Sequence, residues 1–184
     1  EVLYAQEPFY KDYIAPNASR RMAKGVKMSI APAPEPLRQA NITTPEAIIV
    51  GTGMGCVQDS EKFLKAILDN HEQHLTPTAF IQSTHNTVAG QLALHWQCHS
   101  YNTTYVNGAI SFESALLDAT MQLEQQLITN ALVGGVDEHA AFFLQTQQLV
   151  KSNLMGEGAA FFALSAISAE HTYAELVDIS LRNE

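Results

Sequence analysis

Several features that would place the chain in a specialised class are scarce or missing. Its two cysteines are too few for a disulfide framework. No apolar run reaches the roughly 18 residues of a membrane-spanning helix. The chain has ten basic and 19 acidic residues, and its net charge of −9 argues against binding to nucleic acid or to an anionic membrane. The start at Glu1 shows no leader pattern, so a cytoplasmic location with small-molecule or protein partners is expected.

What is present is the composition of an ordinary globular domain. The chain has 184 residues, of which 46% are hydrophobic, enough for one domain with a substantial core. Short β-branched apolar runs alternate with segments of helical periodicity. The pattern predicts a single α/β domain over residues 1–184, with a mixed β-sheet flanked by helices. The predicted strands are 46–51, 103–106, 131–136, 158–167 and 177–181, and the clearest helices are 19–30, 59–68, 86–97 and 111–123.

The first predicted helix carries a basic cluster. Ser19 is a candidate N-cap, and residues with four-residue spacing form its apolar face. The proline-rich run 32–36 should stop this helix. The cluster is either a solvated helix face, which is the commoner case, or a docking surface for an acidic partner. It consists of Arg20, Arg21, Lys24 and Lys27.

Two further motifs are weak indications of ligand binding. The glycine loop 51–55 has the spacing G-x-G-x-G, which lacks the features of a phosphate-binding loop and favours a tight turn before a helix starting at Asp59 or Ser60. His95, Cys98 and His99 have helical spacing but too few companions for zinc. We therefore predict no metal and no cofactor.

Polar residues beside two predicted helix starts are better candidates for a site. His85 and Asn86 are candidates to face a shared cavity, and the commoner alternative for Asn86 is a helix cap. The stretch from Asn102 to Asp118 runs from a strand through a turn into a helix. Such an elbow is where many α/β enzymes hold a nucleophile. Ser111 lacks the second glycine of G-x-S-x-G, and is more simply the N-cap of a helix with Phe112 on its buried side.

Seven segments of the chain occur in an order that is typical of one family: RRMAKGVKMSIA, IIVGTGMG, DSEKFL, PTAFIQSTHNTVAGQLAL, YNTTYVNGAISFESALLDA, ALVGGVDE and GEGAAFFALS. This ordered set resembles the N-terminal half of a β-ketoacyl-acyl carrier protein synthase, which has a thiolase-like fold. STHNTVAG and SFESALLDA are most similar to the synthase-like proteins of bacterial aryl-polyene or flexirubin-type pigment clusters.

The resemblance implies a Claisen condensation in which an elbow cysteine takes an acyl chain and two histidines of a second half handle the malonyl unit. A helix N-terminus suits this chemistry because it lowers a thiol pKa and stabilises an oxyanion. Placing Ser111 on the family's serine puts Ala109 on the cysteine. No catalytic residue is therefore assigned. The residues expected to line the acyl tunnel are His85, Asn86, Ala109, Ser111 and Phe112.

The function predicted from the resemblance is that of a non-catalytic synthase-like component of fatty-acid or polyketide-type biosynthesis, similar to a chain-length factor. Its expected partners are acyl carrier protein and a catalytically competent ketosynthase subunit, or a second copy in a homodimer. Family members need about twice this length, and their first strand is expected to lie before Glu1. Two alternatives stay open. One is an acyl-carrier-protein-processing decarboxylase or hydrolase using Ser111, His85 or Asn86. The other is a stand-alone acyl-binding half-domain.

Overall fold

A mixed four-stranded sheet is the centre of the computed structural model, which describes residues 2–141, 155–170 and 172–181. Its strands are β2 (Ala47–Gly51), β3 (Tyr101–Tyr105), β4 (Asn130–Asp137) and β6 (Gly158–Ser165). Their order is β3-β2-β4-β6, with β6 antiparallel to β4 and the other neighbours parallel. A separate parallel pair joins β1 (Val2–Leu3) to β5 (Met155–Gly156). The predicted fold class, a mixed sheet flanked by helices, is confirmed.

Helices cover both faces of this sheet. Among the described residues, no helix is long and apolar enough to cross a membrane. Those before β2 are α1 (Pro16–Ser19), α2 (Lys24–Ile30) and α3 (Pro34–Gln39). Those between β2 and β3 are α4 (Val57–Asp69), α5 (Pro77–Ser83) and α6 (Thr87–Trp96). α7 (Ser111–Glu124) connects β3 to β4.

The alternation of side chains along β2 and β4 divides the core into two clusters. Ile48, Val50 and Leu132 belong to the cluster that includes residues of α2, α3 and α6. Ile49 and Val133 belong to the cluster on the other face, which includes Ala115 and Ala119 of α7. Each fully buried Val, Leu or Ile side chain stabilises the fold by about 1.5–3 kcal/mol relative to exposure. α6 and α7 therefore lie on opposite faces of the sheet.

The predicted first helix is two helices in the structure. Ser19 ends α1 instead of capping a longer helix, and α2 starts at Lys24 after Ala23. The break is tied to α5, because the Ala23 amide donates a hydrogen bond to Gln82 Oε1 at 3.2 Å. The predicted stop is confirmed, since α2 ends at Ile30 and a proline opens α3.

The helix after the glycine loop also begins earlier than predicted. Its N-cap is Cys56, not Asp59 or Ser60, and the Ser60 hydroxyl instead donates to the Ser83 carbonyl at 3.2 Å. The predicted apolar stripe is only partly buried: Leu64 and Leu68 are 61% and 75% exposed. Phe63 is the member that packs on α5, with its ring centroid 5.5 Å from that of Phe80.

The prediction of a last strand over residues 177–181 is wrong. The described residues 172–181 form no helix or strand, although their alternating pattern suits one. A strand needs a neighbouring chain to satisfy its amides and carbonyls, and the described sheet offers this segment none.

Gly134 of β4 allows a close approach of the neighbouring strand β6. A Cβ on Gly134 would lie 2.6 Å from the Ala160 carbonyl oxygen and inside the Phe161 ring. The absence of a side chain at Gly134 therefore lets the Phe161 ring of the neighbouring strand β6 lie directly over β4.

A buried ion pair joins the N-terminal region to the end of the sheet. Lys24 Nζ lies 2.6 Å from Glu157 Oε1 and 3.1 Å from Glu7 Oε1. The Glu157 side chain is 1% exposed, and its other oxygen accepts the His139 amide at 3.1 Å. Burial alone would raise the pKa of Glu157, but the hydrogen bonds from Lys24 and His139 lower it. Burial would lower the pKa of Lys24, but its two carboxylate partners raise it.

Candidate functional site

The predicted elbow is present between β3 and α7. β3 ends at Tyr105, a 3-10 turn spans Gly108–Ile110, and α7 begins at Ser111. Gly108 has a φ of 61°, which favours glycine. Gly51, the last residue of β2, touches the elbow so closely that a Cβ there would lie 2.5 Å from the Ser111 carbonyl and the Phe112 amide nitrogen. The end of β2 thus fixes the start of α7.

Ser111 holds the turn together through both hydrogen-bonding roles of its hydroxyl. Its Oγ accepts the Asn107 amide at 2.8 Å and donates to the Gly108 carbonyl at 2.7 Å. This corrects its predicted role as an N-cap, because the hydroxyl bonds backwards to the turn instead of forwards to the helix amides. A second bond, from Asn107 Nδ2 to Ser114 Oγ at 3.0 Å, reinforces the same turn. The Ser111 hydroxyl is therefore committed to structure.

The turn opens onto a cleft of about 520 Å³, here called the elbow cleft. Ala109 is exposed at this cleft, in the position that the family resemblance gives to the nucleophile. Its methyl group cannot form a thioester. Most of the lining is small or apolar, and it comes from the ends of β2 and β4, the elbow and β6: Gly51, Thr52, Gly108, Ala109, Ser111, Phe112, Gly135, Val136, Asp137, Gly156, Gly158, Ala159 and Ala160.

His85 and Asn86 line a different cleft, of about 500 Å³, here called the edge cleft. The five residues expected to line an acyl tunnel therefore lie in two clefts, because the start of α6 and the start of α7 flank opposite faces of the sheet. Asn86 occupies the N-cap position of α6, but within the described chain its side chain makes no capping hydrogen bond. The edge cleft is lined by Thr84, His85, Asn86, Asn102, Thr103 and Thr104.

Asp137 is a residue of the elbow cleft that the sequence analysis missed. Its Oδ1 accepts hydrogen bonds from the Gly53 amide at 2.8 Å, the Met54 amide at 3.3 Å and the Thr52 hydroxyl at 3.0 Å. The Asp137 carboxylate thus accepts the hydrogen bonds from the loop amides that a bound phosphate would need. This agrees with the interpretation of the glycine loop as a tight turn. The sequence did contain a signal for Asp137, namely an acidic residue at the end of a buried strand. Parallel strands bring their carboxyl ends to the same edge of a sheet, so such a residue is expected to lie beside the loops of that edge.

Glu138 and Cys56 form a buried group behind this loop. The Glu138 carboxylate accepts the amides of Gly25 at 2.6 Å and Gln58 at 2.8 Å, and burial raises its pKa. Burial, together with the nearby Glu138 charge, raises the pKa of Cys56 to about 12. The other cysteine, Cys98, is also buried and its thiol lies 3.1 Å from the Pro45 carbonyl. Neither thiol is placed to act as a nucleophile.

The four basic residues do not form one surface. Arg20 and Arg21 are exposed in the turn between α1 and α2. Lys24 is engaged by the two carboxylates described above, and Lys27 Nζ lies 5.6 Å from the centre of the Tyr10 ring. Of these four residues, only the two arginines are exposed and have no charged or aromatic partner in the described structure. The predicted docking role is therefore kept for them and stays a prediction.

The histidines and cysteines considered as metal ligands lie apart. His95 and His99 are exposed at the end of α6, whereas Cys98 between them is buried. Within residues 2–141, 155–170 and 172–181, no three His, Cys, Asp or Glu side chains converge as a metal site would require.

The sequence matches the family described as "Beta-ketoacyl synthase, N-terminal domain" over residues 4–155. The chain belongs to this family. None of the curated proteins compared with it matches.

Solved structures give the same fold at low sequence identity. "The ishigamide ketosynthase/chain length factor" has 20% identity and a TM-score of 0.74, covering 91% of this chain and 50% of that one. AntDE:AntF, a type II polyketide synthase acyl-carrier protein in complex with its ketosynthase bound to the hexaketide, has 18% identity and a TM-score of 0.73, covering 89% and 53%. The ketosynthase ApeO in complex with its chain length factor ApeC, from Xenorhabdus doucetiae, has 17% identity and a TM-score of 0.68, covering 88% and 62%. The chain thus spans about half to three-fifths of the length of these structures.

Introducing a thiol at position 109 tests whether the elbow can activate a nucleophile. In Ala109→Cys we expect one rapid iodoacetamide adduct at pH 7.5, while the wild type stays unmodified because both of its cysteines are buried. The start of α7 should lower the pKa of the introduced thiol, so alkylation should be roughly tenfold faster than at an ordinary exposed cysteine. Intact-mass spectrometry measures the adduct. Ala169→Cys, at an exposed position outside the helices, is the matched control; equal rates in the two variants would show that the elbow does not activate a thiol.

Proposed function

We propose that this chain is a non-catalytic ketosynthase-like subunit that helps to form the acyl-binding cavity of a catalytically competent ketosynthase, as a chain-length factor does. The observation that carries the proposal is Ala109 in an intact elbow. The turn, the start of α7 and the adjoining cleft are all present, whereas the position that the family resemblance gives to the nucleophile has only a methyl group.

The structural neighbours support a role as one member of a pair. Two of them are a ketosynthase together with a chain length factor, and a third is an acyl-carrier protein in complex with its ketosynthase. By analogy, we propose that this chain acts in fatty-acid or polyketide-type synthesis and works with a ketosynthase and an acyl carrier protein.

The free edge of β3 is the surface that we assign to the ketosynthase partner. In the described sheet β3 pairs with β2 on one side only. Its sequence YNTTY carries no charge and no proline, the two devices that commonly protect an edge from pairing. The partner is either a competent ketosynthase or a second copy of this chain. Arg20 and Arg21 are proposed to contact the carrier protein.

Altered chemistry at Ser111 is less well supported. Its hydroxyl is used in two hydrogen bonds within the turn, and His85 lies in the other cleft. An activated serine needs a base within hydrogen-bonding distance. Loss of turnover of acyl-carrier-protein substrates in a Ser111→Ala variant whose urea stability equals that of the wild type would nevertheless favour this alternative.

Reconstitution with a catalytically competent ketosynthase and an acyl carrier protein from the same organism tests the proposal. We expect co-elution on size-exclusion chromatography, and a change in product length when Ala109→Trp fills the elbow cleft. Ala169→Trp, at an exposed site away from both clefts, should leave product length unchanged. Absence of a complex together with unchanged products would overturn the proposal. A bound fatty acyl chain in native mass spectra, without any complex, would favour the stand-alone acyl-binding domain.

A further inference from the structure

The elbow turn contains a chemically labile pair of residues. Asn107 is followed by Gly108, and this is the one Asn-Gly pair in the sequence. Asparagine deamidates most readily before glycine, because glycine has no Cβ to shield its amide nitrogen from the asparagine side chain. Both residues are exposed to solvent, so water can reach the pair.

Deamidation of such a pair has two steps. The Gly108 amide loses its proton to hydroxide, and its nitrogen attacks Cγ of Asn107 to close a five-membered imide. The bond from Cγ to Nδ2 breaks, and Nδ2 leaves as ammonia with a proton from water. Water then opens the imide at one of its two carbonyl carbons. Opening at Cγ gives aspartate, whereas opening at the main-chain carbon gives isoaspartate, in which the main chain runs through the former side chain.

The attacking nitrogen is unprotected in the elbow. Among the described residues, none accepts a hydrogen bond from the Gly108 amide. A larger residue at this position would shield the nitrogen, but it would be strained at a φ of 61°. The geometry of the turn therefore favours the same glycine that makes the pair labile.

The closed turn keeps the pair out of the reactive geometry. An imide needs the Gly108 nitrogen and the Asn107 Cβ on the same side of the Cα–C bond, whereas the Asn107 ψ of 33° places them on opposite sides. The side chain is also held, because Nδ2 donates to Ser114 Oγ at 3.0 Å. The Asn107 main-chain amide donates to Ser111 Oγ at 2.8 Å. The turn must therefore open before the ring can close.

We infer that Asn107 is a site of spontaneous deamidation whose rate is set by local opening of the elbow turn. Exposed turns open at a lower free energy than the whole domain unfolds. Either product removes the amide that donates to Ser114. Isoaspartate also lengthens the main chain by one methylene directly before a segment that packs against Gly51, so it should displace the elbow from the end of β2.

Incubation of the full chain at pH 7.5, folded or in urea, tests the inference. Isoelectric focusing measures the added negative charge, peptide mass mapping locates it, and labelling by protein isoaspartyl methyltransferase identifies isoaspartate. We expect Asn107 to convert before any other asparagine, roughly tenfold to a thousandfold more slowly in the folded chain than in the unfolded one. Equal rates in the two states, no conversion of the folded chain within this range, or earlier conversion of another asparagine would overturn the inference.

Ser114→Ala removes the acceptor of the side-chain bond. It should deamidate about fivefold faster than the wild type when folded, and at the wild-type rate in urea, because only the folded turn contains the bond. Thr120→Val is the matched control. Its hydroxyl bonds to the Leu116 carbonyl, as the Ser114 hydroxyl also bonds to the Ile110 carbonyl, but it lies further along α7. Equal rates in the two folded variants would contradict the role of the Ser114 bond.

The dependence of the wild-type rate on urea separates local opening from global unfolding without any variant. Local opening exposes little surface, so the rate should stay nearly constant at urea concentrations below the unfolding transition. A rate that instead rises with urea as steeply as the population of unfolded chain would show that Asn107 reacts only after global unfolding, and the inference would be wrong.

Discussion

Gly51→Ala is expected to destabilise the chain by about 3 kcal/mol, at the upper end of the cost of adding a methyl group to a packed interior. The added Cβ would lie 2.5 Å from the Ser111 carbonyl and the Phe112 amide nitrogen. Both are backbone atoms, so no rotamer change can relieve the overlap, and β2 must separate from the first turn of α7. Urea denaturation, followed by circular dichroism, measures the loss.

Gly90→Ala is the matched control for this substitution. Gly90 lies inside α6, and apart from its chain neighbours and the backbone of its own helix no described atom lies within 4 Å of the position a Cβ would take. Alanine there should stabilise the chain by up to about 1 kcal/mol, because it is the better helix former. If Gly51→Ala unfolds at the same urea concentration as the wild type, the close contact between β2 and the elbow does not exist.

Lys24→Met is expected to cost about 3 kcal/mol at pH 7, because removing one member of a buried ion pair leaves the other charge uncompensated. The Glu157 side chain is 1% exposed and would keep only its hydrogen bonds from the Ala5 and His139 amides. Lys62→Met is the control: it breaks the surface pair with Asp59, whose lysine is 65% exposed, and should change stability by less than about 0.5 kcal/mol.

The cost of Lys24→Met should depend on pH. The folded-state pKa of Glu157 lies below its ordinary value of 4.5, so its stabilising contribution is full above that pH and is lost as pH falls through the folded value. Without Lys24, burial favours the neutral acid, and the variant should approach wild-type stability in acid. Urea denaturation between pH 3 and pH 7 measures this convergence. A penalty that stays constant over this range would show that Lys24 acts by packing alone.

Much of the fold could be predicted because its strands are short, β-branched and bounded by glycine or proline. Ala47–Gly51 and Asn130–Asp137 match their predicted runs within a few residues. The failures have a tertiary origin. The break between α1 and α2 depends on a hydrogen bond from Ala23 to Gln82, 59 residues away. The alternating pattern at residues 177–181 specified a strand, but a strand also needs a partner.

The candidate site was predictable in part for the same reasons. The elbow follows from a local strand-turn-helix pattern, and Ala109 from its spacing to Ser111. Asp137 was missed because its role comes from the adjacency of β2 and β4, which brings it to the glycine loop more than 80 residues away. The sequence analysis also missed that His85 and Asn86 lie in a different cleft from the elbow residues. Local sequence does not indicate which face of the sheet a helix covers.

The bonds that shape the elbow have an evolutionary consequence. They come from Asn107, Gly108, Ser111 and the close contact with Gly51, and none of them involves the side chain at position 109. We therefore expect a substitution between alanine and cysteine at position 109 to cost little folding stability. In such a scaffold, catalytic and accessory subunits can diverge from one ancestral gene by a substitution that selection for stability does not oppose.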